Sequence, residues 1–214
     1  MLKRTMGSLM VLALVFAAQA NADVIITGIV DGDLSGGNPK AIELYIDGSE
    51  DLSNYSLQRS SNGGSFGSTT ALSGNYSDTF VYLIGTSNGG VAAFDSVFGT
   101  TGIFANRITS GTVTGNGNDA FRIVDGSNNV IDQVAPVSGS NSYQDSYMYR
   151  NDTTGPDGGW TDTNWSIPGN GVLDGLDASQ HEATVPFGTY VIPEPASLAL
   201  IALGGMLMLR RRSA

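Results

Sequence analysis

The chain of 214 residues predicts an all-β fold, and three observations carry that prediction. Residues 41–46 alternate, with Ile42, Leu44 and Ile46 on one side and Ala41, Glu43 and Tyr45 on the other. A two-residue period describes a strand with one buried face. Turn dipeptides recur at Asp31-Gly32, Asp47-Gly48, Asp125-Gly126 and Asp157-Gly158, as expected where short strands are joined by tight turns. No stretch carries the long 3.6-residue periodicity of an amphipathic helix.

Taken in order, residues 23–29 (DVIITGI) read as a first strand. Residues 31–40 combine Asp-Gly, Gly-Gly and Asn-Pro, which predicts a loop before the alternating strand. Leu52, Tyr55 and Leu57 open a second extended run after an acidic link. Residues 60–70 are Gly, Ser, Asn and Thr without period, and predict a loop. The continuous apolar run 80–84 (FVYLI) suits a strand buried on both faces. In residues 91–98, Val91, Phe94, Val97 and Phe98 fall at helical spacing and predict one short helix whose aromatic stripe lids the core. Residues 120–124 and 130–134 frame an Asp-Gly turn and read as a hairpin, with Phe121 and Ile123 on one face. Residues 147–150 supply a late strand. Trp160 and Trp165 follow, each set among small polar residues, where a large ring serves either to cap one end of the β fold or to stack on a sugar.

Two passages resemble a known domain family. Ile42-Glu43-Leu44-Tyr45, a turn, and then Asp51-Leu52-Ser53-Asn54-Tyr55-Ser56-Leu57 resemble the opening of lamin-tail domains. Asn118-Asp119, an apolar strand, Asp125-Gly126 and Val130-Ile131-Asp132 resemble their second half, with Asn118 where those domains usually carry glycine. The resemblance implies an immunoglobulin-like β-sandwich of the lamin-tail type with one short helix, spanning residues 23–190 together with a C-terminal extension.

Composition narrows the function classes. There is no cysteine, so disulfides and thiolate chemistry are excluded. The net charge is −10, but five of the ten basic residues lie in the terminal segments. Residues 23–192 hold five basic residues against nineteen acids, a charge of −14. That surface repels phosphate backbones and argues against nucleic acid. Asp31, Asp33 and Ser35 are spaced like the start of a calcium loop. The twelfth position from Asp31 is Ile42, however, and lacks the bidentate acid, so at most weak calcium binding is expected there and no other cofactor.

The two ends read as addresses. In residues 1–22, Lys3 and Arg4 precede an apolar centre, and Ala20-Asn21-Ala22 forms a cleavage site, the pattern of a secretory signal peptide. Residues 191–214 contain Pro193-Glu194-Pro195, an apolar block of fourteen residues, and the cluster Arg210, Arg211, Arg212. As a helix the block spans about 21 Å, short of a hydrocarbon core of about 30 Å, and the arginines mark a cytoplasmic stop. This tail resembles the PEP-CTERM sorting signal of Gram-negative bacteria. The resemblance implies transient inner-membrane association of the precursor and processing by an exosortase, a membrane peptidase or transpeptidase.

Catalysis is hard to assemble from this inventory. His181 is the only histidine, and no G-x-S-x-G elbow occurs. The expectation is a non-enzymatic, exported structural or adhesive protein of the cell surface or extracellular matrix, in contact with polysaccharide or other surface proteins. The alternative is a carboxylate-based secreted hydrolase acting on extracellular glycans, since acids are plentiful.

Overall fold

A computed structural model describes residues 23–136 and 141–192. The architecture is mostly β, with two sheets and two short helices, consistent with a β-sandwich. The strands are β1 (Asp23–Leu34), β2 (Asn38–Asp51), β3 (Tyr55–Ser60), β4 (Phe66–Ala71), β5 (Asn75–Gly85), β6 (Arg107–Ser110), β7 (Ala120–Asp125), β8 (Val130–Val134), β9 (Ser146–Arg150) and β10 (Trp165–Ser166). One sheet runs β10-β9-β1-β2-β5-β6 and the other β4-β3-β7-β8. Pairing is antiparallel except between β5 and β6. Helices α1 (Gly90–Phe98) and α2 (Ala178–Thr184) complete the set.

Between the sheets lies one core, which includes Val24, Ile26, Ile42, Leu44, Ile46, Val81 and Leu83 from the large sheet and Leu57, Phe121, Ile123 and Val134 from the small one. The outer face of the large sheet carries a second core. There Ile25, Val30, Ala41, Tyr82, Ile84 and Tyr149 meet Phe94, Val97 and Phe98 of α1 and Leu173, Val185, Phe187 and Tyr190 of the C-terminal segment. The large sheet is therefore the middle of three layers. Its central strands are buried on both faces, which explains the continuous apolar run in β5.

This burial corrects the reading of β2. The side bearing Ala41, Glu43 and Tyr45 does not face water: Ala41 and Glu43 are both fully buried. A bulge in β1 sets Thr27 and Gly28 together against Glu43, and places the Thr27 hydroxyl beside its carboxylate. Gly28 has a steric reason as well. A Cβ there would stand 2.7 Å from the Phe187 ring, so glycine lets the ring lie against the strand.

Three further expectations change. β1 and β2 extend through most of residues 31–40, leaving a three-residue turn between Leu34 and Asn38. β4 occupies part of the expected loop 60–70; it is an edge strand with every residue at least partly exposed, so burial imposed no alternation on it. A second helix, α2, joins the expected one. Its start is fixed by a capping box in which the Asp177 carboxylate accepts from Gln180 N and the Gln180 side chain accepts from Asp177 N. Trp165 is buried and half-buried Trp160 packs beside it, with ring centroids 5.6 Å apart, so this pair caps the sandwich rather than offering a platform.

Candidate functional site at the C-terminal seam

The last described residues are sewn to the outer face of the large sheet around Glu43. Both carboxylate oxygens are used. Oε1 accepts from the hydroxyls of Thr27 at 2.7 Å and Tyr149 at 3.0 Å, and Oε2 accepts from Gly188 N at 2.5 Å. The Tyr82 hydroxyl faces the same carboxyl without a hydrogen bond of good geometry. Burial pushes Glu43 up to about 7, and the bonds from Thr27, Gly188 and Tyr149 only partly oppose it. Burial and the neighbouring Glu43 likewise hold the Tyr149 hydroxyl well above the usual tyrosine value.

Tyr149 relays the grip along the chain. Its oxygen accepts from Thr189 N at 3.2 Å and Tyr190 N at 2.9 Å. The Tyr190 hydroxyl donates to Thr154 O at 2.6 Å. One residue on, Val191 N donates to Asp152 Oδ1 and Val191 O accepts from Thr153 N, each at 2.9 Å. Gly188 sits at φ +79°, the left-handed region, with Ile103 on its other side; a Cβ would collide with that side chain.

A second polar group closes the part of β1 that β9, which pairs only with Gly28–Asp31, leaves open. Arg150 and Asp132, both buried, pair at 2.6 Å. Arg150 Nε donates to Ile26 O, and Asp132 Oδ2 accepts from Ile26 N, so the two side chains take the place of a missing neighbour strand. The Arg150 guanidinium also lies over the Trp165 ring, 4.8 Å from its centre. These contacts join β8 of one sheet to β1 and β9 of the other.

Of the calcium-loop residues, Asp31 is buried and paired with Lys40, and Ser35 is exposed in the hairpin turn. Asp33 stands instead with Asp145 and Asp174, carboxylate oxygens within 4.8 Å of one another. Burial, then Asp33 and Asp174, raise Asp145. Among the described residues this is the acidic grouping with the spacing to receive a cation. Asp33 is already engaged, its Oδ2 accepting from Gly175 N. His181 is consumed structurally: Nε2 accepts from Asp33 N and Nδ1 donates to Asp177 O, which ties α2 to the first hairpin.

The seam ends where a recognisable signal begins. Residues 191–213 match the family model of the PEP-CTERM protein-sorting motif. The chain carries this sorting motif. It marks an exported precursor processed by an exosortase, and its first matched residue, Val191, is among the described residues the last one hydrogen-bonded to the β domain. A comparison with curated proteins found no match. Ala20 and Ala22 of the expected signal cleavage site, Pro193, Glu194 and Pro195, and Arg210, Arg211 and Arg212 lie outside the described residues. Among the described residues no helix is long and apolar enough to cross a membrane.

Sequence reasoning found the sorting motif because it is contiguous. It missed the seam. Glu43 carried the only available signal, an acid within an apolar strand, and the alternation assigned it to solvent.

Proposed function

We propose that the mature protein is a non-catalytic structural or adhesive module of the cell surface or extracellular matrix, in contact with exopolysaccharide or other surface proteins. The observation that carries this reading is the sorting motif joined directly to a compact β domain. The domain is taken to be an immunoglobulin-like sandwich of the lamin-tail type. That assignment rests on the sequence resemblance across residues 42–57 and 118–132, whose strands are β2, β3, β7 and β8. The buried ionisable groups support a structural role. Glu43, Asp132, Arg150 and His181 each spend their hydrogen bonds on backbone or neighbouring side chains that hold elements together.

A second reading, a carboxylate-based hydrolase of extracellular glycans, would draw on Asp33, Asp145 and Asp174, the three carboxylates brought close together. One complementation experiment separates the two. Cells lacking the protein are expected to retain less polysaccharide after shear. A gene carrying Asp145→Asn and Asp174→Asn is expected to restore retention fully, whereas Pro193→Ala with Pro195→Ala is expected to leave full-length protein in the inner membrane and restore nothing. Failure of the aspartate variant at normal surface abundance would favour the hydrolase.

A further inference from the structure

We propose that residues 185–191 form a strap that shields the upstream flank of the sorting motif, so that processing requires the strap to lift locally from the sheet. The inference rests on the exosortase reading of the motif and adds a gate to it.

Peptidases hold substrates extended, through main-chain hydrogen bonds on residues flanking the scissile bond and pockets for their side chains. Here those main-chain groups are already committed. The N–H groups of Gly188, Thr189, Tyr190 and Val191 donate to Glu43, Tyr149, Tyr149 again and Asp152, and Val191 O accepts from Thr153 N. Side chains are committed too: Val185, Phe187 and Tyr190 are buried in the outer core, and Phe187 packs on Phe98 with centroids 5.3 Å apart. Only Ile192 separates the last bonded residue from Pro193. Ile192 is itself half-buried against the outer core, so with the strap down a peptidase cleft finds no free lead before Pro193. With it lifted, the cleft gains an extended segment with open donors and acceptors.

The strap is suited to local opening. Apart from the backbone bond from Thr153 N to Val191 O, its hydrogen bonds to the body of the domain join side chain to backbone, and no strand pairing continues through it, so it can detach without dismantling the sheets beneath. Substrate competent for processing is then the lifted fraction, and the observed rate scales with that fraction.

The test follows processing of the full-length precursor in exosortase-bearing membranes, as the rate at which the shortened product appears. Tyr149→Phe removes one hydroxyl that serves three partners, and Asp152→Ala releases the Val191 N–H. Each is expected to speed processing about tenfold, the factor for one or two ordinary hydrogen bonds. Hydrogen exchange at the amides of Gly188, Tyr190 and Val191 verifies that the strap has loosened. A third precursor keeps the strap intact and inserts six Gly/Ser residues between Ile192 and Pro193. It is expected to be processed as fast as the loosened variants, and adding Tyr149→Phe to it is expected to change nothing further. Loosened amides with an unchanged or slower rate would overturn the strap, as would an insertion that brings no acceleration. The Pro193→Ala/Pro195→Ala precursor runs alongside. If it stays uncut while the strap variants behave like wild type, the sorting reading stands and the gate alone fails; if it is cut normally, the sorting reading itself fails.

Discussion

The Glu43 carboxyl accepts hydrogen bonds from β1, β9 and the C-terminal segment at once. In an alternating strand with a single covered face it would meet water, and replacing it would matter little. Here the second face is covered, and the carboxyl is buried with three donors. The cost of burying its charge sets a pH dependence. Its folded value of about 7 lies above the ordinary 4.5, so between those values the folded state binds more protons than the unfolded one. The stabilisation from this group is therefore complete below about pH 4.5 and lost as pH rises through about 7. A gap of that size corresponds to about 3 kcal/mol. Asp31, raised to about 6 by burial against the pull of Lys40, adds a smaller effect of the same sign. Urea unfolding of wild type and Glu43→Gln at pH 5 and pH 8 is expected to show a fall in stability that is clearly smaller in the variant, the remainder coming from Asp31 and from Asp132, which burial raises to about 6 as well. Equal falls in both would mean that Glu43 titrates like an exposed acid. The residues that grip the strap were not legible in the sequence, because Glu43 and Gly188 are separated by 145 positions and no local spacing joins them.

At the level of elements, strands were legible where burial imposed a period. β2, β5, β7 and β8 announce themselves through Ile42, Leu44 and Ile46, the run 80–84, and Phe121 with Ile123 about an Asp-Gly turn. α1 was legible from the spacing of Phe94, Val97 and Phe98, all buried against the sheet. β4, at a sheet edge, and β6, a four-residue parallel addition to β5, bury too little to leave a pattern. α2 has seven residues and buries His181 alone, so capping rather than amphipathicity defines it. The inward face of β2 admits a direct measurement. Leu44 is fully buried in the inter-sheet core, and Leu44→Ala is expected to cost about 2–5 kcal/mol in denaturant melts, the range for a truncated core leucine. A change below about 1 kcal/mol would mean that the core between the sheets is not where the register places it.

For the whole molecule, the C-terminal segment belongs to the fold and delivers the sorting motif. Leu173, Val185, Phe187 and Tyr190 form part of the outer layer, so a cut before Val191 would strip cover from the large sheet, whereas a cut at or beyond the motif leaves all three layers intact. Without disulfides, that layering and the Asp132–Arg150 tie between sheets are what hold an exported domain with a charge of −14 across residues 23–192. The acidic surface favours solubility and sets no fold. Processing at the sorting motif is expected to release this domain with the seam preserved. Intact-mass spectrometry of the protein recovered from the cell surface reads both processed ends. The predicted species begins at Asp23, retains Val191, and has lost the apolar block with Arg210, Arg211 and Arg212; a surface species that still carries those three arginines, or one that ends before Val191, would contradict the account.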